Sequence, residues 1–253
     1  MSKPVRDLSN LTAAILAGGL GTRLRSVVPD RPKALAKIGQ KPFLAYLLNH
    51  LVNAGIQKAV LCVGYLGEQV RRAFGDAYGP LTLVYSQETS PLGTGGALRL
   101  ALPLLDSDPV LVMNGDSFAA ADLRAFWKWH KAMGVKATLL LAKQAETQRY
   151  GRVHMDAGGL ILSFQEKGEQ DGPGWINAGI YLMQRDLLQT IPERGAISLE
   201  QEIFPSWIHQ GLLGYCGEGF FLDIGTPDDY AAAELLFQEQ ILHPRTCGLK
   251  QEK

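Results

Sequence analysis

The stretch that most constrains this 253-residue chain lies near its N-terminus, at TAAILAGGLGTRLRSVVPDRPK, residues 12–33. Residues 12–17 form a short apolar run, which is typical of a strand buried on both faces of a parallel sheet. Glycines at 18, 19 and 21 follow, and they allow backbone N–H groups to converge on an anion. Arg23 and Lys33 add two cations to the same loop. This pattern predicts a strand followed by a loop that binds a triphosphate.

Two other phosphate-binding loops are excluded by spacing. The dinucleotide fingerprint G-x-G-x-x-G, started at Gly19, would need glycine where Leu24 stands. A Walker A loop needs Gly-Lys followed by Ser or Thr, and the chain contains no Gly-Lys pair. A plain glycine-rich turn with two solvated cations is the remaining alternative, and the combination of Arg23 with Pro32-Lys33 disfavours it.

Composition excludes several classes of function. Lys+Arg and Asp+Glu both number 25, so no net field attracts nucleic acid or an anionic membrane. No apolar run approaches the roughly 18 residues that span a bilayer, and the N-terminus lacks the apolar segment of a leader. We therefore expect a cytoplasmic protein with no membrane or nucleic-acid partner. The cysteines, at 62, 216 and 247, have neither zinc-site nor disulfide-framework spacing, and Cys62 is expected to be a buried, inert thiol.

Strand and helix patterns alternate through the first half of the chain. Strands are predicted at 58–63, 81–85 and 110–113, and helices at 42–55, 67–74 and 94–105. This order predicts βαβ units and a mostly parallel sheet. Later patterns are a helix at 122–133, strands at 136–142, 159–164, 176–182 and 219–222, and helices at 198–207 and 228–238. We expect Ser198 to form a capping box with Gln201, and Thr226 or Asp228 to cap the last helix.

These patterns predict a single α/β domain. Its mixed, mostly parallel central sheet is flanked by helices, with a core at about residues 11–240 and a polar tail at 243–253. No linker rich in Pro, Ser or charge divides the chain.

Several motifs follow predicted strands directly, and ligands of open α/β sheets bind beyond the carboxyl ends of the strands. The loop at 18–23, the glycine-rich loop at 93–96 and Asp116 therefore predict a nucleotide pocket at one edge. Glycines 93–96 could present a flat surface to a nucleobase, or could simply form a tight loop entering a helix. Asp116 could hold a divalent metal, since an ionised carboxylate leaving water needs a partner, or could cap the following segment.

The motifs together resemble those of the sugar-1-phosphate nucleotidyltransferases, from about Leu11 to Leu236. The first is G-G-x-G-T-R-L, starting at Gly18, followed by Pro32-Lys33. Within that family the chain most resembles the guanylyltransferases acting on D-glycero-α-D-manno-heptose 1-phosphate. The shared motifs are Pro91-Leu92-Gly93-Thr94-Gly95-Gly96, Asn114-Gly115-Asp116, Arg149-Tyr150-Gly151, Phe164-Gln165-Glu166-Lys167, Asn177-Ala178-Gly179-Ile180-Tyr181 and Asp223-Ile224-Gly225-Thr226-Pro227.

The resemblance implies a Rossmann-like (GT-A-like) fold and a role for each matching residue. Arg23 and Lys33 would be the catalytic cations, and Asp116 and Asp223 would hold Mg²⁺. Nucleotide contacts are implied at Leu16, Ala17, Gly18, Gly19, Gly21, Thr22, Gly93, Gly95, Gly96, Asn114 and Gly115. Sugar-phosphate contacts are implied at Arg149, Gly151, Glu166, Lys167, Asn177 and Gly179.

The expected reaction is an in-line attack of a sugar 1-phosphate oxygen on the α-phosphorus of a nucleoside triphosphate, with release of pyrophosphate. GTP and the heptose 1-phosphate are the favoured substrates, giving a GDP-heptose for cell-surface polysaccharide. Alternatives are a mannose 1-phosphate guanylyltransferase and an N-acetylmuramate or hexose 1-phosphate uridylyltransferase. An inactive regulatory homologue and a glycosyltransferase, which would need an Asp-x-Asp motif, are also open. Either a monomer or a homodimer is expected.

Overall fold

The computed structural model describes residues 8–165, 168, 172–193 and 195–242, with side chains up to 236. Its helices are α1 Phe43–Ala54, α2 Gly67–Phe74, α3 Gly93–Ala101, α4 Leu123–Met133, α5 Arg185–Gln189, α6 Phe204–Trp207 and α7 Pro227–Leu242. Its strands are β1 Thr12–Leu16, β2 Lys37–Ile38, β3 Lys41–Pro42, β4 Lys58–Val63, β5 Ala77–Tyr78, β6 Leu81–Gln87, β7 Val110–Asn114, β8 Ser117–Ala119, β9 Ala137–Gln144, β10 Arg152–Met155, β11 Ile161–Gln165, β12 Gly174–Met183, β13 Leu213–Cys216 and β14 Phe221–Asp223. Among the described residues, no helix is long and apolar enough to cross a membrane. The predicted polar tail, 243–253, lies outside them.

The strands form an eight-stranded central sheet in the order β13-β9-β12-β7-β1-β4-β6-β5. Strands β7, β1, β4 and β6 run parallel, and β13 runs parallel to β9. Strand β12 is antiparallel to both β7 and β9, and β5 is antiparallel to β6. The predicted mixed, mostly parallel sheet of an α/β fold is therefore confirmed.

Helices cover both faces of this sheet, which explains why its central strands are nearly continuous apolar runs. Along β1, Ala13 and Ile15 pack in the cluster that holds Phe43 and Leu47 of α1. Ala14 packs in the opposite cluster, with residues of α3 and α6. Each of these strand residues is fully buried, as expected for a parallel sheet covered on both sides.

Of the two helix caps predicted from the sequence, the one at Ser198 differs in one hydrogen bond and the one at Thr226 is as predicted. Ser198 Oγ accepts a hydrogen bond from Gln201 N at 3.1 Å, but the Ser198 N–H donates to Glu202 Oε1 at 2.9 Å rather than to Gln201. The segment Leu199–Ile203 is a π-helical turn. Because a π turn is wider, the residue four positions after the cap reaches back to it. At α7, Thr226 Oγ1 accepts from Asp229 N at 3.2 Å, as one of the predicted caps.

Segment 195–200 packs tightly against the start of α3, and this contact requires a glycine. Gly95 N donates to Ile197 O at 2.8 Å, and Ile197 N donates to Leu92 O at 2.8 Å. Gly93 has a φ of +70°, and a Cβ there would lie 2.4 Å from Ile197 O. Gly93 is therefore needed both for its backbone conformation and for the space that its missing side chain leaves.

Replacing Gly93 with alanine should destabilise the protein more than the same change at Gly195. Gly195 has a similar φ of +61°, but open space surrounds its Cβ position. We expect Gly195→Ala to lower the free energy of unfolding by about 1–2 kcal/mol through its left-handed backbone alone. Gly93→Ala should cost about 2–5 kcal/mol because a backbone clash is added. Urea denaturation measures both, and equal losses would show that segment 195–200 does not press on Gly93.

Candidate active site

A cleft of about 610 Å³ opens at the carboxyl ends of β1, β6 and β7. Most of the predicted site residues line it: Leu16, Ala17, Gly18, Gly19, Arg23, Lys33, Gly93, Asn114, Gly115, Asp116, Gly151, Asn177, Gly179 and Asp223. Gly21, Thr22, Gly95, Gly96 and Arg149 are not among its lining residues. Glu166 and Lys167 lie outside the described residues, so the sugar-phosphate contacts predicted for them stay predictions.

The glycine-rich loop is held at its start by the neighbouring strands. Ala17 N donates to Cys62 O at 2.8 Å, and Gly115 N donates to Leu16 O at 3.0 Å. Further along, Gly21 adopts a φ of +60° before the short helical turn Thr22–Leu24. Leu24 is buried and anchors the turn, which leaves the Arg23 side chain exposed at the cleft. Within the described part of the chain, Arg23 makes no hydrogen bond or ion pair, so its guanidinium is available to a ligand.

Lys33 connects the two carboxylates predicted to bind metal. Its Nζ donates to Asp116 Oδ2 at 2.8 Å and lies 4.0 Å from Asp223 Oδ1. The Lys33 side chain is only 13% exposed, whereas those of Asp116 and Asp223 are 46% and 26% exposed. One largely buried ammonium therefore offsets one of the two carboxylate charges that face the cleft, and a net negative charge remains there.

Asp223 reaches this position through a small two-stranded sheet. Strand β14 pairs antiparallel with β8, with Asp223 opposite Ser117, the residue after Asp116. Ile224 N donates to Asp116 O at 3.0 Å and fixes the register. The two carboxylates thus converge on one small region, and hard carboxylate oxygens suit Mg²⁺, which needs only one or two of them together with water and phosphate. The residues present therefore fit a magnesium ion.

The opposite wall is formed by β12, which carries a bulge between Asn177 and Tyr181. Asn177 Oδ1 accepts from Gly179 N at 2.9 Å, and Asn177 Nδ2 donates to Tyr181 Oη at 3.0 Å. Gly179 has a φ of +73°, and a Cβ there would lie 2.6 Å from Ser117 Oγ. Asn177 thus shapes the bulge that allows Gly179 to approach the segment carrying Asp116.

Arg149 pairs with a carboxylate outside the cleft, and the sugar-phosphate contact expected for it stays a prediction. Its guanidinium donates to Asp229 Oδ1 on α7, and that carboxylate is buried. Arg149 lies in a turn closed by a hydrogen bond from Gly151 N to Thr147 O. Arg152 lines the cleft as Arg23 does, and its guanidinium donates to Thr147 Oγ1 and to Gly172 O, both at 2.9 Å.

The glycines at 95 and 96 have packing partners instead of an open surface. A Cβ on Gly95 would lie 3.0 Å from the Ile197 side chain, and one on Gly96 would lie 2.9 Å from the Leu92 side chain. Of the two readings of this loop, the tight entry into a helix therefore accounts for Gly95 and Gly96 by contacts within the chain. A nucleobase contact at these two positions stays a prediction.

Two carboxylates in the cleft were missed from the sequence, namely Glu88 and Glu200. Glu88 follows β6, and its Oε2 accepts from Leu92 N at 3.2 Å. Gly18 and Gly64 leave space for this carboxylate, since a Cβ on Gly18 would lie 2.6 Å from Glu88 Oε1 and a Cβ on Gly64 would lie 2.3 Å from it. Burial raises the pKa of the Glu88 carboxyl. Its position just after a parallel strand was a usable signal, whereas Glu200 carried none beyond its nearness to a helix cap.

Nucleophilic chemistry at Cys62 is disfavoured by its surroundings. Its thiol is buried in the sheet, and burial raises its pKa to about 12, so the thiolate is not available near neutral pH. His130 is also buried, outside the cleft, with Nδ1 2.8 Å from Thr138 Oγ1. Burial lowers the pKa of His130 to about 4, so this imidazole is neutral and serves the packing of α4.

Comparison with known proteins agrees with this geometry. Residues 12–240 match the family described as Nucleotidyl transferase. The chain is 36% identical to D-glycero-alpha-D-manno-heptose 1-phosphate guanylyltransferase of Aneurinibacillus thermoaerophilus, over 91% of this chain and all of that one. It is 34% identical to mannose-1-phosphate guanylyltransferase of Mycobacterium tuberculosis, over 86% of this chain and 62% of that one.

The fold is also shared with a solved structure, HddC from Yersinia pseudotuberculosis complexed with GMP-PN. The TM-score is 0.80 at 30% identity, over 90% of this chain and 99% of that one. The resemblance seen in the motifs is confirmed by these matches. The chain belongs to the nucleotidyl transferase family and is a sugar-1-phosphate nucleotidyltransferase.

Proposed function

We propose that this enzyme transfers a guanylyl group from GTP to D-glycero-α-D-manno-heptose 1-phosphate, with Mg²⁺ as cofactor. The products would be the GDP-heptose and pyrophosphate. Two relatives named for this activity, from Aneurinibacillus thermoaerophilus and Campylobacter jejuni, are each 36% identical and are covered over 100% and 97% of their length. The observation that carries the chemistry is the placement of Lys33 between Asp116 and Asp223, together with Arg23, which lines the cleft and has no ion-pair partner among the described residues.

The barrier to this reaction is mainly the repulsion between two phosphorylated reactants, so positioning and neutralisation of charge are what the protein must supply. The sugar phosphate is itself the nucleophile, and no side chain needs to form a covalent intermediate. Arg23 would hold the outer phosphates and the departing pyrophosphate, because it is exposed at the cleft without a partner in the described part of the chain. Lys33 would supply positive charge beside the carboxylates. Bound Mg²⁺ would neutralise phosphate oxygens at Asp116 and Asp223.

Glu88 supports guanine as the base. Guanine presents two adjacent donors, N1–H and the N2 amino group, and an ionised carboxylate can accept both. Uracil and thymine present one N–H between two carbonyl oxygens, and a carboxylate would repel those oxygens. Glu88 lies in the same cleft as the glycine-rich loop and Gly93, so a base beside it would leave the triphosphate near Arg23.

The proposed substrates can be tested with a matrix of nucleoside triphosphates against sugar 1-phosphates, with pyrophosphate release as the signal. The acceptors are the heptose, mannose, glucose and N-acetylmuramate 1-phosphates. We expect the highest kcat/KM for GTP with the heptose 1-phosphate. A maximum with mannose 1-phosphate would reassign the sugar, and a maximum with UTP would refute the proposed base. No pyrophosphate from any combination would favour an inactive homologue or a glycosyltransferase.

Removing either charge at the phosphate site should nearly abolish turnover. We expect Asp116→Asn and Arg23→Ala each to lower kcat about a hundredfold, or roughly 3 kcal/mol of transition-state stabilisation. The exposed Arg72 on α2 provides a matched control, because Arg72→Ala removes an arginine outside the cleft. Steady-state kinetics on variants with unchanged thermal unfolding measures the effect. Full turnover by Arg23→Ala or Asp116→Asn would remove that residue from the proposed mechanism.

Glu88 should distinguish GTP from ITP, which lacks the N2 amino group. The wild type should prefer GTP by about tenfold or more in kcat/KM, and Glu88→Gln should lose most of that preference with the KM for the sugar phosphate unchanged. Because only the ionised carboxylate accepts both donors, GTP affinity should fall as the pH is lowered through the raised pKa of Glu88.

The exposed Glu68 on α2 gives the matching control, since Glu68→Gln lies outside the cleft. A Glu88→Gln variant that keeps the full GTP preference and the wild-type pH profile would show that another group reads the base.

A further inference from the structure

A second carboxylate, Glu200, lines the cleft together with its neighbours Ser198 and Gln201. It is half-buried, and its two oxygens have unequal surroundings. Oε2 accepts from Thr94 Oγ1 at 2.8 Å and from Ser198 Oγ at 3.1 Å. Thr94 Oγ1 also accepts from Leu199 N at 2.8 Å, so this side of the carboxylate is held firmly. The side chain is therefore fixed in place through Oε2.

The other oxygen is poorly satisfied. Glu200 Oε1 lies 3.5 Å from Asn114 Nδ2 and 3.4 Å from Tyr181 Oη, both near the outer limit of hydrogen bonding. Asn114 Nδ2 is also 3.4 Å from Tyr181 Oη. Asn114 Oδ1 is buried and has no hydrogen-bond partner in the described part of the chain. Polar atoms buried in this way are normally paired, so the group is one partner short.

The missing partner is best matched by a neutral hydroxyl. Burial raises the pKa of Tyr181 well above its usual value, so Tyr181 keeps its proton and remains a donor. The group therefore offers a carboxylate acceptor, Glu200 Oε1, beside the Asn114 amide, and a hydroxyl both donates and accepts. Among the described residues no lysine or arginine forms an ion pair with Glu200, so a phosphate would be repelled there.

We propose that Asn114, Tyr181 and Glu200 form a hydroxyl-binding subsite for the acceptor sugar, in which Glu200 Oε1 accepts a hydrogen bond from one ring hydroxyl. The inference rests on the proposed function and adds a residue that selects among sugars. The acceptor is favoured over the ribose of GTP because Tyr181 Oη is bonded to Asn177, on the wall opposite the glycine-rich loop. Thr94 ties the same carboxylate to the start of α3, so the subsite lies between the two proposed substrates.

A subsite built around a hydroxyl should reject a sugar that lacks it, since Glu200 Oε1 would then be buried without a partner. The test uses the sugar 1-phosphate that the wild type turns over best, with analogues deoxygenated at one ring position at a time. We expect one analogue to lose about a hundredfold in kcat/KM with the wild type. Glu200→Gln should lower kcat/KM for the parent sugar by a similar factor. It should leave both kcat/KM for that analogue and the KM for GTP unchanged. In this variant the amide oxygen can still accept from Thr94 and Ser198.

Glu202→Gln is the matched control. It makes the same chemical change in the same turn, but at a residue that is exposed and lies outside the cleft. It should keep the wild-type selectivity. Calorimetric binding of parent and analogue, with a non-hydrolysable GTP analogue present, should show the same pattern without turnover.

Three results would overturn the inference. The first is equal turnover of all deoxygenated analogues, which indicates that water fills the site. The second is full selectivity retained by Glu200→Gln. The third is a loss of turnover with 2′- or 3′-deoxy-GTP instead, which would place the ribose of GTP in the subsite. Turnover of the parent by the wild type tests the proposed function separately.

Discussion

The site depends on one electrostatic arrangement, in which the Lys33 ammonium lies between two carboxylates that would otherwise repel each other. Asp116 and Asp223 face the same small volume, and Lys33, almost buried, contacts one at 2.8 Å and lies 4.0 Å from the other. Opposite charges at such distances in a partly desolvated cleft interact far more strongly than at an exposed surface. The arrangement concentrates positive and negative groups in one small part of the cleft, which is what the proposed triphosphate and metal would require.

Each half of the chain supplies one wall of the cleft. The first half contributes the ends of β1, β6 and β7, which are adjacent because parallel strands in one sheet direct their carboxyl ends to one edge. The second half returns through β12, which lies antiparallel between β7 and β9 and brings its bulge at 177–181 next to Asn114. Segment 195–200 then packs on the start of α3 and carries Glu200 into the cleft. The two walls are therefore joined by side chains, because Thr94 and Asn114 of the first half both contact Glu200 of the second.

Local patterns predicted many elements well, and the differences between the predictions and the structure have identifiable causes. The strand 58–63 and the helix 67–74 agree with the structure because apolar periodicity and a terminal glycine are local signals. The strand predicted to end at 85 continues to Gln87, and the early ending hid Glu88, which stands directly after it. The glycines at 95 and 96 suggested an open surface, yet their neighbours are Ile197, Leu92 and Gly195. Arg149 was placed at the sugar because of its motif, while a buried carboxylate 80 residues away, Asp229, binds its guanidinium.

By itself the sequence determined the α/β class, the parallel direction of its first strands and the positions of the glycine-rich loop, Arg23, Lys33 and Asp116 along one edge. Those features follow from residue spacing and from the geometry of parallel strands, and both are written in short stretches of chain. Only the tertiary structure decided that Lys33 bonds to Asp116 across 83 residues and that Thr94 bonds to Glu200 across 106. Tertiary packing also decided the pairing of β8 with β14, the ion pair of Arg149 with Asp229 and the long contacts of Glu200 Oε1. Such contacts depend on how distant segments pack, and no local pattern of hydrophobicity or turn residues specifies that packing.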